Sequence, residues 1–373
     1  MARAGQSRSR IAHPRDHIAL GTLVSMFPPS MVRAAVEQAG AKERRSRTLT
    51  AQLVTYYVLA CVLWHEHSHE EVWARLTMGL AWLNNTRLGD DVRPPVSSSI
   101  SDAKHRLGSE PLTLLLKYAA VPLLGDAAGR WRDRAVVAVD GFGLRAQPTK
   151  ANQERLSGPP SDTGTEAFPQ VRVMVGADCR TGTIAAARVE GHTADESASF
   201  RRLVAAFGPG TVLAVAPRLF SPAHHSAATA RGAALISLAP RSVSFPVVAP
   251  LPDGSWISHL GSPPGRTGRP VRVRVAGHGP GTEEGHLVSS VLDPDEASAA
   301  ELADTYASRW SSRSFLTCLR PGGQADTEIV LRSKRPDGAF QEAWAALAVY
   351  QGLRTMIVKA QAAGIHTVAD RLL

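Results

Sequence analysis

Cysteine is scarce in this chain. Cys61, Cys179 and Cys318 are its three, widely separated, with no Cys-x-x-Cys pair. That argues against a disulfide framework or a cysteine-based structural zinc site and fits a reducing cytoplasm. Long apolar runs are also missing. The longest, Leu53 to Leu63, contains Thr55, Tyr56 and Tyr57 and is too short to cross a bilayer. Residues 1–15 are polar and basic without an apolar core, so they do not read as a secretory signal. No internal repeat is evident. Lysine is rare, and arginine carries most of the positive charge.

What is present is a core and an excess of positive charge. A chain of 373 residues suggests two or three domains, and 44% apolar residues suffice for a packed interior. A net charge of +9 favours a polyanionic partner, most simply nucleic acid. The first fifty residues hold nine Lys/Arg against three Asp/Glu, part of the excess lying in Lys42, Arg44, Arg45 and Arg47. The expected organisation is a disordered basic arm over 1–16 and a helical region over 17–128. A mixed α/β core follows over 129–240 and 293–373, with a β-rich insertion at 241–292.

Within the helical region, Leu20, Leu23 and Val24 have helical spacing. After Pro28-Pro29 a second helix carries Met31, Val32, Ala35 and Val36, with Ser30 as its expected N-cap. A mostly apolar helix over Thr50–Trp64 leads into His65-Glu66-His67-Ser68-His69-Glu70-Glu71. These side chains suit either a metal or a polar loop opening an acidic first helical turn. With no cysteine or fourth ligand nearby, the loop is the favoured reading. Ser97 to Gly108 forms a short basic helix, bounded by serines and a glycine and bearing Lys104, His105 and Arg106. It suits a DNA-recognition helix and an ordinary surface helix about equally.

From Trp131 the period changes to that of strands. Expected strands are Ala135–Val139, Val171–Ala177, Thr183–Val189, Val212–Ala216 and Ala234–Leu238, with a helix at Ser197–Phe207. The first strand ends in Asp140-Gly141, where α/β sheets gather ligands and catalytic groups. Shorter strands follow at Trp256–His259, Val271–Ala276 and Leu287–Leu292. A helix runs from Pro294 through Tyr306, Arg309 and Trp310. Glu328–Arg332 is strand-like, and Phe340–Ala362 is a long apolar helix.

This order, with its motifs, resembles the insertion-sequence-4 family of DDE transposases, which have a ribonuclease H-like catalytic core. Leu20–Ala39 and Pro95–Leu107 resemble the family's helical domain. Val139-Asp140-Gly141 with Leu144-Arg145 matches its first catalytic motif, and Phe168-Pro169-Gln170-Val171-Arg172 resembles the strand that follows. Leu292-Asp293-Pro294 and Tyr306 to Trp310 match the approach to the third motif. Ile329 to Lys334, Pro336-Asp337 and Gln341-Glu342 resemble the family's tail. The resemblance implies double-stranded DNA as partner, a homodimer on DNA, no membrane, and a cytoplasmic, nucleoid-associated location. It also implies DNA transposition with three carboxylates holding two Mg²⁺ ions about 4 Å apart.

The chain departs from this pattern at two of the three acids. Asp140 is kept. Aligning Arg218 and Phe220 puts Pro217 where the second Asp belongs, and Tyr306 and Arg309 put Arg313 at the Glu position and Arg320 at the Lys position. The expectation is therefore a transposase-family DNA-binding protein with a degenerate centre and no cofactor. Asp140 would be the sole metal ligand if any metal bound. Expected DNA contacts are Arg44, Arg45, Arg47, Lys104, Arg106, Arg309 and Arg320. Two alternatives stay open: an active Mg²⁺-dependent enzyme using substitute carboxylates, with Asp178, Asp195 and Glu196 nearby in sequence, and a non-catalytic protein-interaction scaffold.

Overall fold

The computed structural model describes residues 14–43, 49–83, 95–120, 131–158, 168–261, 270–277, 285–309 and 330–364. The chain divides into two compact units, Met1–Ala119 with Asp337–Leu353, and Ala120–Pro336 with Arg354–Leu373. The segment 337–353, expected with the α/β core, thus groups with the helices.

The first unit contains α1 (Pro14–Met26), α2 (Pro29–Gln38), α3 (Ala51–Leu63), α4 (His69–Leu83), α5 (Ser97–Leu107) and α6 (Glu110–Tyr118). Helix α1 begins inside the expected basic arm, so residues 14–16 are helical. At α2 the cap is Pro28 and not Ser30, because Pro29 starts the first turn, where its missing N–H costs nothing. Thr50 caps α3 by accepting the Leu53 N–H at 3.3 Å. Nine of the thirteen α3 residues, Ala51 and Val54 through Cys61, are buried, so its pattern carries little amphipathic signal. Between α3 and α4 the histidine-rich stretch is a loop. Ser68 and Glu71 exchange backbone-to-side-chain bonds at the α4 start, Glu71 accepting from Ser68 N at 2.9 Å. Val96, not a serine side chain, occupies the α5 cap position, and Gly108 ends the helix at φ 67°.

The second unit is built on one ten-stranded sheet. Its strands are β1 (Ala135–Ala146), β2 (Gln170–Asp178), β3 (Ile184–Gly191), β4 (Thr211–Val215), β5 (Ala234–Ala239), β6 (Ala249–Pro250), β7 (Trp256–Leu260), β8 (Val271–Ala276), β9 (His286–Ser289) and β10 (Val330–Leu331). The spatial order is β3-β2-β1-β4-β5-β9-β8-β7-β6, with β10 beside β1. Strands β1, β2 and β3 run antiparallel as a meander, while β4 and β5 run parallel to β1. The β-rich stretch 241–292 does not stand apart. Its last strand, β9, pairs antiparallel with β5 and so prolongs the same sheet.

Among the described residues the remaining helices are α7 (Lys150–Leu156), α8 (Glu196–Val204), α9 (Pro222–Thr229), α10 (Ala299–Ala307) and α11 (Pro336–Ala362), α11 contributing to both units. Strand alternation splits the core. Val137, Val139, Leu213, Val215 and Leu235 pack with Phe200, Leu203 and Ala228 of α8 and α9. On the other side, Val212, Ala214, Ile236 and Leu238 pack with Leu302 and Tyr306 of α10. Helix α10 starts after Ser298, whose reciprocal bonds with Glu301 form a capping box, so Pro294 lies upstream of the helix expected to begin there.

Candidate functional site

Asp140 is not at the end of its strand. Strand β1 continues to Ala146, paired with β2 as far as Arg145↔Gln170. What ends near Asp140 is the parallel neighbour: the β1–β4 ladder stops at Val139↔Val215, and Ala216 donates its N–H to Val139 O at 2.9 Å. The chain then turns away through a single 3-10 turn, Pro217–Leu219. Asp140 therefore lies where β1 and β4 part, the kind of place where α/β sheets bind ligands.

The Asp140 side chain is 10% exposed. Its Oδ1 accepts the Gly141 N–H at 2.8 Å and the Arg218 Nε–H at 3.4 Å. Arg218 comes from the turn that Pro217 begins, and its Nη1 donates to Glu196 Oε1 at 3.0 Å. Glu196 opens α8, behind the Asp195 cap. One guanidinium thus joins two carboxylates from separate elements. Gly141 makes room for it, since a Cβ there would fall 2.6 Å from Arg218 Nη2 and 3.0 Å from Val173 O. Burial and the charge of Arg172 push His192 below its ordinary pKa against the opposing pull of Glu196.

Tyr306 reaches this region from the α10 face, its hydroxyl donating to Val215 O at 3.3 Å at the last residue of β4. Arg309 lies 4.8 Å over the Tyr306 ring and is only 2% exposed. That burial removes Arg309 from the expected phosphate contacts and makes it a packing partner of Tyr306. Asp178 is a turn former, Oδ1 accepting from Arg180 N at 3.0 Å and Thr181 N at 2.7 Å, with Gly182 at φ 68°. Arg313 and Arg320 lie outside the described residues.

A two-metal centre needs three convergent carboxylates. The described residues do not fit that requirement. Asp140 and Glu196 are separated by a cation, and among the described residues no group of three His, Cys, Asp or Glu side chains is arranged to hold a metal ion. The same holds for the histidine loop, where His69 Nδ1 instead pairs with the Tyr57 hydroxyl at 2.5 Å.

Of the expected nucleic-acid contacts in the helical unit, Arg44, Arg45 and Arg47 lie outside the described residues. Lys104 turns inward. Its Nζ bonds Glu342 Oε1 at 2.7 Å, with side-chain exposures of 12% and 9%. Gln341 Nε2 donates to Lys104 O and Gly108 O beside it, at 2.9 and 2.6 Å. So Lys104 ties α5 to the 337–353 segment, and a phosphate contact is not its role. Opposite Ile100, Ala103 and Leu107, the outer face of α5 presents Ser97, Ser98, Ser101, Asp102, His105 and Arg106. Arg106 borders a cavity of about 360 Å³ shared with Lys42 and floored by Leu49, Val54 and Ala103.

A β3-β2-β1-β4-β5 sheet with three antiparallel strands followed by two parallel ones is the ribonuclease H-like arrangement, here preceded by a helical unit and bearing an acid at the β1–β4 fork. The class of protein is therefore a ribonuclease H-like α/β protein with a helical N-terminal region. Residues 17–117 match the family model described as insertion element 4 transposase N-terminal. The chain is 21% identical over 350 residues to the transposase InsG for insertion sequence element IS4 of Escherichia coli (strain K12), covering 91% of this chain and 77% of that protein. Among solved structures, the piggyBac transposase synaptic complex with hairpin DNA matches with a TM-score of 0.44 and 10% identity, over 93% of this chain and 77% of that one. The family model thus covers the helical N-terminal region, and the likeness to an insertion-sequence-4 transposase extends over most of the chain. No helix among the described residues is long and apolar enough to cross a membrane.

Proposed function

We propose that this is a transposase-type protein of the insertion-sequence-4 lineage that binds double-stranded DNA, with a strand-cleaving centre that no longer works. DNA transposition is its function by descent. The observation that carries the loss of chemistry is Pro217, which stands at the second acidic position and opens the 3-10 turn after β4. Its side chain offers no metal ligand there. DNA binding is supported by the match of residues 17–117 to the transposase N-terminal family, by the net charge of +9 and by the exposed Arg106 on α5.

One observation favours a second reading, an active Mg²⁺-dependent enzyme. Glu196 is a carboxylate only one guanidinium away from Asp140. A direct assay separates the two. The purified protein is expected to bind duplex DNA with affinity falling steeply as salt rises, and to leave the DNA uncut and unjoined with Mg²⁺ or Mn²⁺. Metal-dependent strand transfer that vanishes in Asp140→Asn would establish the active reading instead.

The contacts are testable residue by residue. Arg106→Ala should weaken binding across sequences and lower the salt slope by about one, as for a single phosphate contact. Lys104→Ala should leave that slope unchanged but cost about 1–3 kcal/mol of stability, because it removes a cationic partner of a largely buried carboxylate. Equal salt slopes for the Arg106 variant and wild type would remove Arg106 from the interface.

A further inference from the structure

We propose that one corner of the second unit is a contact surface for unpaired DNA: the exposed ring of Phe168 stacks on a base, while Arg145, Lys150, Lys334 and Arg335 take the phosphates beside it. This rests on the DNA-binding reading and adds to it a strand class and a place on the α/β unit. Phe168 is 52% exposed just ahead of β2, with the Arg145 guanidinium 5.6 Å from its ring centre. Arg145 is itself exposed near the end of β1, where it pairs with Gln170 on one side and Val330 on the other. Val330 is 41% exposed, so two accessible apolar side chains flank one accessible guanidinium. A single apolar side chain in water is ordinary. A ring, a guanidinium and an aliphatic side chain together form the kind of platform on which bases stack, and the guanidinium can also reach a phosphate.

The remaining cations come from segments far apart in the chain, and the backbone beneath them is fixed. Thr149, the cap of α7, donates its hydroxyl to Lys334 O at 2.9 Å. Asn152 is fully buried, and its Nδ2 donates to Gln147 O at 2.9 Å and to Ser333 O at 3.0 Å. Ser333 Oγ in turn accepts the Arg335 N–H at 3.2 Å. These bonds hold residues 333–335 against the start of α7, while the side chains of Lys334 and Arg335 stay exposed and form no ion pair among the described residues. Lys150 is 90% exposed and only loosely paired, with Glu154 at 3.9 Å. Across residues 145–156 and 330–337, six Lys/Arg stand against two Asp/Glu, Glu154 and Asp337, so the corner is net positive before any ligand arrives. Cations set on a fixed backbone lose less freedom on meeting a chain of phosphates than cations on a loose loop.

The experiment measures fluorescence anisotropy of a short dye-labelled DNA single strand of mixed sequence, and of the duplex of the same length, titrated with the full chain over a range of salt. Wild type should bind both. Phe168→Ala should weaken single-strand binding about 5- to 150-fold, the worth of one base–aromatic stack, and leave duplex binding within about twofold. Phe168→Trp should keep single-strand binding, whereas Phe168→Leu, apolar but without a stacking face, should lose it as the alanine variant does. Lys334→Ala/Arg335→Ala should lower the single-strand salt slope by about 1.4, two phosphates at about 0.7 each. Single-strand affinity that is absent in wild type or unchanged in folded Phe168→Ala, beside intact duplex binding, overturns the proposal and leaves the DNA-binding reading standing. So does an equal loss on both DNAs. Failure of wild type to bind either DNA overturns both.

Discussion

Arg274→Ala is expected to remove about 3–5 kcal/mol of folding stability, the cost of breaking a buried ion pair from one side. Arg274 is fully buried in β8. Its Nε donates to Ser255 Oγ at 2.7 Å, Nη1 donates to the carbonyls of Ala297 and Asp293, and Nη2 meets the Asp253 carboxylate. Asp253 also accepts the Ala299 N–H at 2.7 Å, at the start of α10. Burial raises the Asp253 pKa, but bonds from Ser255 and Ala299 and the charge of Arg274 outweigh it and hold the group below its ordinary value. This one guanidinium therefore fastens the β6–β9 part of the sheet to the helix that carries Tyr306. Removing it leaves a poorly hydrated carboxylate and two carbonyls short of a donor. Hydrogen exchange should show the loss concentrated in β7, β8 and the first turn of α10. A drop below about 1 kcal/mol, or one spread evenly over the chain, would contradict this account. Arg274→Met/Asp253→Asn should be milder than Arg274→Ala, since neither charge is then left alone.

Acid should destabilise the second unit well above the pH at which its carboxylates titrate. His225 in α9 is fully buried, and its Nε2 lies 2.8 Å from Ser237 Oγ. Burial, helped by the neighbouring His224, pushes its pKa down to about 3. In the unfolded chain the same imidazole titrates near 6.5. Between those values the unfolded state holds a proton that the folded state refuses, so stability rises with pH. The contribution is complete above about pH 6.5 and declines as pH falls toward 3. Lowering the pH from 7 to 5 should cost about 2 kcal/mol from this residue alone. His224 adds in the same sense, since burial depresses it as well. Urea unfolding across pH 4.5–7.5 measures the slope. His225→Gln, which can still bond Ser237 but does not titrate, should flatten it by about 1.4 kcal/mol per pH unit below pH 6. An unchanged slope would mean that His225 is hydrated in solution.

Much of the fold is legible in the sequence because its segments carry strong periodic signals. The strands from Val171 to Leu238 are short apolar runs bounded by turns, and they occur close to where periodicity puts them. Thr50 announces α3 through its side chain. Other features depend on partners that no local pattern encodes. The reach of β1 past Asp140 is set by β2, which supplies hydrogen-bond partners to Arg145 after β4 has left. Helix α7 has only seven residues and no long apolar stripe to announce it, yet Thr149 caps it through Asn152 N. Lys104 reads as a surface cation until Glu342, far along the chain, claims it.

The site shows the same division. Asp140 is visible in the sequence as an acid closing an apolar run, and the place of Pro217 follows from matching Arg218 and Phe220. The bridge to Glu196 is not visible, because twenty-two residues and a strand separate Glu196 from Arg218. The signal in the sequence is Arg218 itself, a cation three residues beyond a strand lying parallel to the one that bears Asp140. Arg309 misled for the opposite reason. Its charge suggests phosphate, while its spacing from Tyr306 places it on the ring and in the interior.

The position of β9 has a consequence for how the polypeptide is made. Strands β1 to β5 can pair as soon as residue 239 has been synthesised, but the outer flank of β5 waits for β9 at residues 286–289. Roughly fifty residues must emerge in between, which at ordinary elongation rates takes roughly 3–10 s. During that interval β5 presents open backbone groups and the apolar side chains of Leu235, Ile236 and Leu238 at an unfinished edge. The nascent chain therefore passes through a state that invites pairing with a second copy on the same message. Slower translation of codons 240–285 should lower the soluble yield, whereas slowing after codon 290 should have a much smaller effect.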